Sequence, residues 1–144
     1  MKETDLWAKV KVLGWDFAER EEPSGCNAGL PDMLLVTKRG GDQILFVENK
    51  IAILDRDLFG DGAFICRSPG LRPSQVRWHT MFQKASRNSY FLIGVKPDQV
   101  YALSGFYARE LKREEPLLRR ASLVKRWTLD GLIESFDEAS SHAG

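Results

Sequence analysis

Cysteine, histidine and long hydrophobic runs are scarce in this sequence, and each scarcity excludes a class of protein. The two cysteines, Cys26 and Cys66, lie far apart without a CxxC pair, so neither a disulfide framework nor a zinc site is indicated. We expect both thiols to be buried or inert. No apolar run approaches the roughly 20 residues of a membrane-spanning helix, and the first residues, MKETDLWAKV, lack the apolar stretch of a secretory signal. The sequence therefore predicts no membrane span and an intracellular, cytoplasmic location.

The length and the charge pattern say more about organisation than the net charge does. At 144 residues the chain fits one domain with a real apolar core, so we expect a single domain over 1–144. The net charge is only +1, but Arg67 to Arg87 holds five basic residues and no acid. Arg109 to Arg126 holds seven basic and three acidic residues. These blocks fit either one phosphate-binding face or two solvated helix faces, and both interpretations stay open.

Hydrophobic periodicity predicts a helix followed by three strands in the first part of the chain. Leu6, Val10 and Leu13 share one helical face, with Thr4 or Asp5 as a cap. WDFAEREE alternates like a strand. DMLLVTK and QILFVENKIAI are apolar runs separated by KRGGDQ, whose glycines suit a tight antiparallel hairpin. Residues 55–72 are rich in glycine and charge, which predicts a long active-site loop.

The second part of the chain predicts a helix, two strands and a C-terminal extension. Pro73 suits a first helical position, and NSYFLIGVK and QVYALSG indicate strands joined at Pro97-Asp98. Beyond the second strand, FYARELKREE predicts a short helix and SLVKRW a strand. TLDGLIESFDEA predicts a helix capped by Thr128. The order of elements indicates an α/β fold, a mixed β-sheet flanked by helices.

Three charged residues are expected to converge on neighbouring strands. Asp32 begins one apolar run, and Glu48 and Lys50 end the next. Because side chains alternate along a strand, Glu48 and Lys50 project to one face and Asn49 to the other. Charges among continuous apolar residues cost free energy unless they are paired or bind a metal. Mg²⁺ is commonly held by one or two carboxylates and water, and the backbone carbonyl of Asn49 is a further candidate ligand.

GLPD at Gly29 to Asp32 followed by FVENK at Phe46 to Lys50 resembles the signature of PD-(D/E)xK nucleases. With Glu3 upstream and LRPSQ at Leu71 to Gln75, the chain is similar to the VRR-NUC and Holliday-junction-resolvase-like branch. The resemblance covers about residues 3–103. It implies a restriction-endonuclease-like αβββαβ core of about 3–104, with 105–144 as an extension packed on it.

The resemblance also implies a role for each matched residue. Asp32 and Glu48 would bind Mg²⁺, with Mn²⁺ able to substitute, and Lys50 would be catalytic. Gln75 and Glu3 would be accessory catalytic residues. Two simpler interpretations stay open: Gln75 as an ordinary polar helix residue, and Glu3 as a first-turn acid favoured by the helix dipole.

The expected function is Mg²⁺-dependent hydrolysis of DNA phosphodiester bonds by a structure-selective endonuclease that resolves junctions or nicks, in DNA repair or recombination or in a phage. An exonuclease or restriction-type cutter with the same site, and a silent nucleic-acid-binding module, are the alternatives. The resemblance favours a homodimer, located in the host cell if the protein is viral. Four basic residues are expected to bind phosphates, with a solvated helix face as the alternative: Arg72, Arg77, Lys84 and Arg87.

The histidine and tryptophan residues give weaker indications of function than the acidic and basic residues do. His79 has no histidine or aspartate at a matching spacing, so a packed or surface histidine is favoured over a general base. The tryptophans could stack on bases, but in a domain of this size they are more often core residues. They are Trp7, Trp15, Trp78 and Trp127.

Overall fold

The computed structural model describes residues 1–20, 29–39, 41–67 and 70–143. Four α-helices are present in these ranges: α1 (Glu3–Lys11), α2 (Pro73–Phe82), α3 (Ala108–Lys112) and α4 (Leu129–His142). The strands are β1 (Phe17–Arg20), β2 (Met33–Thr37), β3 (Gln43–Arg56), β4 (Gly62–Cys66), β5 (Ser89–Val95), β6 (Gln99–Ser104) and β7 (Ser122–Leu123). Short 3₁₀ turns at Gly105–Tyr107 and Leu118–Arg120 precede α3 and β7.

All seven strands belong to one mixed sheet. Its order is β1-β2-β3-β5-β6-β7, and β4 pairs with β3 off this path. The pair β3–β5 is parallel, and the other pairs are antiparallel. A parallel pair needs a long crossover, which α2 and its flanking segments supply. The α/β class with a mixed sheet flanked by helices is confirmed. The expected order of three strands between the first two helices is wrong, because β4 adds a fourth strand between α1 and α2.

The hairpin of β2 and β3 forms where the sequence predicts it. Met33 pairs with Val47 and Thr37 with Gln43. Gly41 has φ +102°, a conformation that only glycine adopts without strain; Gly40 lies outside the described residues. The apolar side chains of β2 alternate between buried and half-buried positions, because one face of this hairpin packs against α1.

The expected long loop over residues 55–72 is wrong in part, because its first two residues and residues 62–66 belong to strands. β3 continues to Arg56, and β4 returns along it, with Ala52 opposite Cys66 and Arg56 opposite Gly62. The charges that suggested a loop form the turn between them: the carboxylate of Asp57 accepts hydrogen bonds from the backbone N–H groups of Phe59 and Asp61 at 2.8 and 3.0 Å. A buried Phe64 then holds β4 to the sheet by packing on Tyr101 at 5.4 Å.

Helices cover both faces of the sheet, and each face has its own apolar core. α1 and α4 cover one face, where Leu6 and Phe136 join Leu45, Leu92 and further strand residues. On the other face, α3 and the turn before β7 cover Phe91, Ile93 and Leu103. Residues 105–143 thus complete the sheet and cover it: β7 adds a strand, and α3 and α4 pack on opposite faces.

Several predicted boundaries shift. α1 ends at Lys11, so Leu13 lies beyond it, and its N-cap is Lys2, whose N–H donates to the Asp5 carboxylate at 2.7 Å. The strand expected at SLVKRW is only the two residues of β7. α4 is capped as predicted, since the Thr128 hydroxyl accepts from the Gly131 N–H at 3.0 Å. Within the described ranges no helix has the length and apolar character that crossing a bilayer requires.

Candidate active site

The edge of β3 that faces β2 and β4 is interrupted at residues 48–51. β2 pairs with β3 only as far as Val47, and β4 begins to pair at Ala52. On its other edge β3 pairs with β5 without a break, from Phe46 to Ala52. Residues 48–51 and the adjacent ends of β2 and β4 are called the fork below. Within the described residues, no strand pairs with this edge at 48–51. The carbonyl oxygen of Ile51 accepts a hydrogen bond from the Arg67 N–H at 3.0 Å, and the backbone groups of Asn49 face the fork, where side chains and ligands can bind them.

Asp32 lies at the mouth of the fork. Because Met33 pairs with Val47, the residue before Met33 comes opposite Glu48. The Asp32 carboxylate accepts a hydrogen bond from the backbone N–H of Asn49 at 2.9 Å. It therefore satisfies one of the backbone groups that strand pairing leaves unpaired, and it is held within reach of Glu48.

Gly29 explains why the motif before Asp32 contains a glycine. Its φ is +91°, and a Cβ atom at this position would lie 2.6 Å from the carbonyl oxygen of Ser74 in the first turn of α2. Only a residue without a side chain allows this approach. The segment that carries Asp32 is thus packed directly against the start of α2.

Glu48 and Lys50 project from β3 toward the face that α2 and α3 cover, and both are buried. Their exposed fractions are 0% and 1%. The Lys50 ammonium donates a hydrogen bond to the carbonyl oxygen of Gly70 at 3.0 Å. Neither carboxylate oxygen of Glu48 has a hydrogen-bond partner among the described residues. The expectation that the pair ends its strand is wrong: β3 continues six residues beyond Lys50 to Arg56 because β4 pairs with that part.

The environment of Glu48 favours a neutral carboxyl when no cation is bound. Burial raises the pKa of Glu48 to about 10. The Asp32 carboxyl acts in the same direction, because a protonated Glu48 can share a hydrogen bond with it and because two negative charges repel each other; the charge of Glu3 adds to this. The positive charge of Lys50 lowers the pKa but does not offset the burial. A buried carboxylate without hydrogen bonds needs a proton or a cation to compensate it.

The residues of the fork fit a hard divalent cation. Glu48 offers two unpartnered oxygens, and Asp32 stands opposite it. In an extended strand the N–H and C=O of one residue point to the same side, so the Asn49 carbonyl faces the fork together with the N–H that binds Asp32. Among the described residues, no group of three or more His, Cys, Asp or Glu is arranged as metal ligands. Two carboxylates and a carbonyl, completed by water, suit Mg²⁺.

Glu3 reaches the same electrostatic environment from α1. It is half-buried, and burial raises its pKa first; Asp32 raises it further, whereas Lys50, Arg72 and Arg20 lower it. The structure thus brings Glu3 close enough to interact with the charges of Asp32 and Lys50.

Gln75 lies on α2 and is only 2% exposed. Its side-chain carbonyl accepts a hydrogen bond from the backbone N–H of Arg72 at 2.9 Å, as part of a capping box at the start of α2. This hydrogen bond gives Gln75 a structural role at the start of α2, and its accessory catalytic role stays a prediction. Gln75 orients the first turn of α2, which also contacts Gly29.

The four basic residues assigned to phosphate binding are exposed along α2 and the segment after it. Arg77 and Lys84 line a groove of about 470 Å³ between α2 and α3, together with Arg109 and Lys112. Sequence reasoning did not single out Arg109 and Lys112, although the excess positive charge of residues 109–126 pointed to their region. The Lys112 ammonium also donates to the carbonyl oxygen of Leu71 at 2.6 Å. Arg72 and Arg87 complete the set of four.

His79 is a packed residue, as the favoured interpretation has it. It is completely buried, with its ring 4.4 Å from that of Phe91. Burial lowers its pKa to about 3, and the charge of Lys50 contributes. Neither ring nitrogen has a hydrogen-bond partner among the described residues, and the lowered pKa favours a neutral ring at neutral pH. Burial likewise raises the pKa of Cys66 to about 11, consistent with an inert thiol; Cys26 lies outside the described residues.

The tryptophans fall into two groups. Trp7, Trp15 and Trp127 pack around the core beneath α1 and α4. Trp78 is half-buried on α2, where its indole stacks on Phe82 at 4.8 Å with an interplanar angle of 11°.

Comparisons of this chain with protein families, with curated proteins and with solved structures found no match.

Proposed function

We propose that this protein is a metal-dependent nuclease of the PD-(D/E)xK type that hydrolyses DNA phosphodiester bonds. The observation that carries the proposal is the fork: Asp32 bound to the Asn49 N–H, beside a buried Glu48 whose carboxylate oxygens have no partner and a buried Lys50. Buried acids left without hydrogen bonds are characteristic of sites built for a ligand rather than for stability. The helix–strand order around the fork supports a restriction-endonuclease-like core.

Asp32, Glu48 and the carbonyl of Asn49 would hold Mg²⁺ or Mn²⁺. Bound there, the cation would supply Lewis acidity toward a phosphate oxygen and lower the pKa of a coordinated water. An ammonium has three N–H groups, and Lys50 uses one on Gly70. Its remaining N–H groups can bind the attacking water or a phosphate oxygen, where its charge stabilises the negative charge that develops. Glu3 would add negative charge at the rim of the site.

We further propose a structure-selective endonuclease that acts as a homodimer inside the cell. Two symmetric copies would place two active sites on opposed strands of a branched DNA. The groove lined by Arg77, Lys84, Arg109 and Lys112 supports a polyanionic substrate, because its positive charges can bind phosphates. Phosphate contacts carry no sequence information, so they fit an enzyme that selects DNA by structure.

The test is cleavage of single-stranded, linear duplex, circular and four-way DNA with Mg²⁺, Mn²⁺ or EDTA. We expect cleavage with either cation and none with EDTA. Asp32→Ala and Lys50→Ala should abolish it, while the matched control Asp42→Asn, an exposed acid in the β2–β3 turn, should not. Unchanged metal-dependent cleavage by Asp32→Ala would show that the catalytic assignment is wrong.

The product pattern separates the related activities. Cuts in circular DNA identify an endonuclease, and symmetric nicks in the four-way substrate identify a resolving activity. Products that shorten only from free ends identify an exonuclease, and duplex cuts at a fixed sequence identify a restriction-type enzyme. Binding of DNA without cleavage under any metal condition would identify a silent binding module.

A further inference from the structure

The exposed ridge of α2 separates two grooves of different chemistry. One groove, of about 710 Å³, is lined by Pro73, Ser74, Arg77, Trp78, Met81 and Phe82. The other is the basic groove between α2 and α3 described above. Arg77 and Met81 line both grooves, so the two grooves lie side by side along one helix. The first is called the aromatic groove below.

The aromatic groove offers an indole to a ligand. Trp78 packs against Phe82 in a parallel stack, against Phe46 at 5.3 Å and against the edge of His79 at 5.2 Å. These contacts hold the indole in one orientation while leaving it half-buried in the groove lining. Next to it, Met81 is 58% exposed. A rigid aromatic ring in an open apolar groove is suited to stacking with another flat ring.

The basic groove offers charge without a specific pattern. Arg77, Lys84, Arg109 and Lys112 come from two segments that are distant in sequence, and none of the described residues that line either groove is acidic. Such a surface attracts a chain of negative charges. A positive groove beside an aromatic platform is the arrangement by which proteins hold single-stranded nucleic acid, with the phosphates in one and the bases against the other.

We infer that the ridge of α2 binds a single-stranded segment of the nucleic acid, with phosphates along Arg77, Lys84, Arg109 and Lys112 and an unpaired base stacked on Trp78. The inference rests on the proposed function and narrows its substrate to DNA with a single-stranded region. A continuous duplex keeps its bases paired and stacked, so it has no base to place in the aromatic groove without paying for unpairing. An acidic peptide would match the basic groove and leave the indole unused.

The first experiment measures binding in EDTA, where cleavage plays no part. Fluorescence anisotropy with labelled single-stranded and duplex oligonucleotides of equal length should show tighter binding of the single strand. Trp78→Leu should weaken single-strand binding about tenfold and leave duplex binding nearly unchanged, and Trp78→Phe should retain most of the affinity. The base should also quench tryptophan emission in the wild type and not in Trp78→Phe.

The second experiment tests the basic groove and remains informative if Trp78→Leu does not fold. The double variant Lys84→Gln/Arg109→Gln should reduce the slope of log K against log salt for a single strand by about 1.4, since each phosphate contact contributes about 0.7. Lys38→Gln/Lys96→Gln is the matched control, because both lysines are exposed and neither lines either groove. It should leave the slope unchanged.

Three results would overturn the inference: equal affinity of the wild type for single strand and duplex, equal losses on both substrates in Trp78→Leu, or displacement of the oligonucleotide by polyglutamate at matched charge. Failure of the proposed function looks different. If the protein binds single strands through Trp78 but shows no metal-dependent cleavage, the proposed nuclease function is refuted and the inferred single-strand binding by α2 stands. If metal-dependent cleavage is lost in Asp32→Ala but binding does not depend on Trp78, the nuclease function stands and the inferred single-strand binding by α2 is refuted.

Discussion

The fork and the turn between β3 and β4 both hold acids close to β3, but the acids of the turn have hydrogen-bond donors and Glu48 in the fork has none. In the turn, Asp57 accepts two backbone hydrogen bonds, and Asp61 accepts from the N–H groups of Gly62 and Arg119 at 2.8 and 3.1 Å. In the fork, Glu48 is buried with two unpartnered oxygens. Carboxylates that shape a fold are satisfied by backbone donors, whereas a carboxylate kept for a ligand is left unsatisfied at a cost in stability.

The largest expected difference between the two regions is in activity. Glu48→Gln keeps the shape of the side chain but removes the charge that would hold the cation, so we expect metal-dependent cleavage to fall at least about 100-fold. Asp57→Asn should change it less than about twofold. Cleavage rates at saturating Mg²⁺ measure both. Similar losses in the two variants would remove the functional distinction between the fork and the turn.

The next largest effect concerns the segment that positions Asp32. Gly29→Ala combines a positive φ with a clash against the Ser74 carbonyl, so we expect a loss of about 3 kcal/mol in the free energy of unfolding. Gly41→Ala is the matched variant: its φ is also positive, but nothing lies within 4 Å of the added Cβ. It should cost only about 1 kcal/mol. Urea denaturation in EDTA measures both, and equal losses would mean that contact with α2 does not hold the Asp32 segment.

Stability should change in opposite directions when single acids are removed from the two regions. Glu48→Met replaces an unpartnered buried carboxyl with an apolar side chain, and we expect a gain of about 1 kcal/mol at pH 8 in EDTA. Asp57→Ala removes two accepted hydrogen bonds and should lose about 1 kcal/mol.

The gain from Glu48→Met should depend on pH. The pKa of Glu48 is raised from 4.5 to about 10 in the fold, so the contribution of Glu48 to stability is largest below pH 4.5. It falls as pH rises toward 10, because only the unfolded chain ionises this group freely. Denaturation midpoints of the wild type and of Glu48→Met, measured from pH 4 to pH 9 in EDTA, should become equal at the acid end of this range. A difference that does not grow with pH would contradict the burial argument.

The smallest effect concerns the histidine beneath α2. Burial lowers the pKa of His79 to about 3, so its contribution to stability is complete above pH 6.5 and is lost as pH falls toward 3. His79→Leu should therefore flatten the acid limb of the stability profile between these values and leave cleavage at neutral pH largely intact. An NMR titration of His79 with a midpoint near 6.5 would count against complete burial.

The fold was predictable where the deciding contacts are local. The β2–β3 hairpin follows from two apolar runs around Gly41, and the Thr128 cap of α4 follows from its own first turn. The predicted loop over 55–72 failed because the glycines and charges of this range outweighed the short apolar segment Gly62–Cys66, which is too short to indicate a strand by itself. Its strand character comes from pairing with Ala52–Arg56 and from Phe64 packing on Tyr101, which a local pattern does not contain.

The candidate site divides in the same way. The residue types of Asp32, Glu48 and Lys50, and the alternation that places Glu48 and Lys50 on one face, depend on chemistry and strand geometry that neighbouring residues determine. The interrupted edge at 48–51, the burial of Glu48 and the meeting of Arg109 with Arg77 depend on contacts between segments far apart in the chain. Those long-range contacts determine which polar groups lose their water and which find a hydrogen-bond partner. The interrupted edge, the burial of Glu48 and the shared groove are therefore features that only the tertiary structure determines.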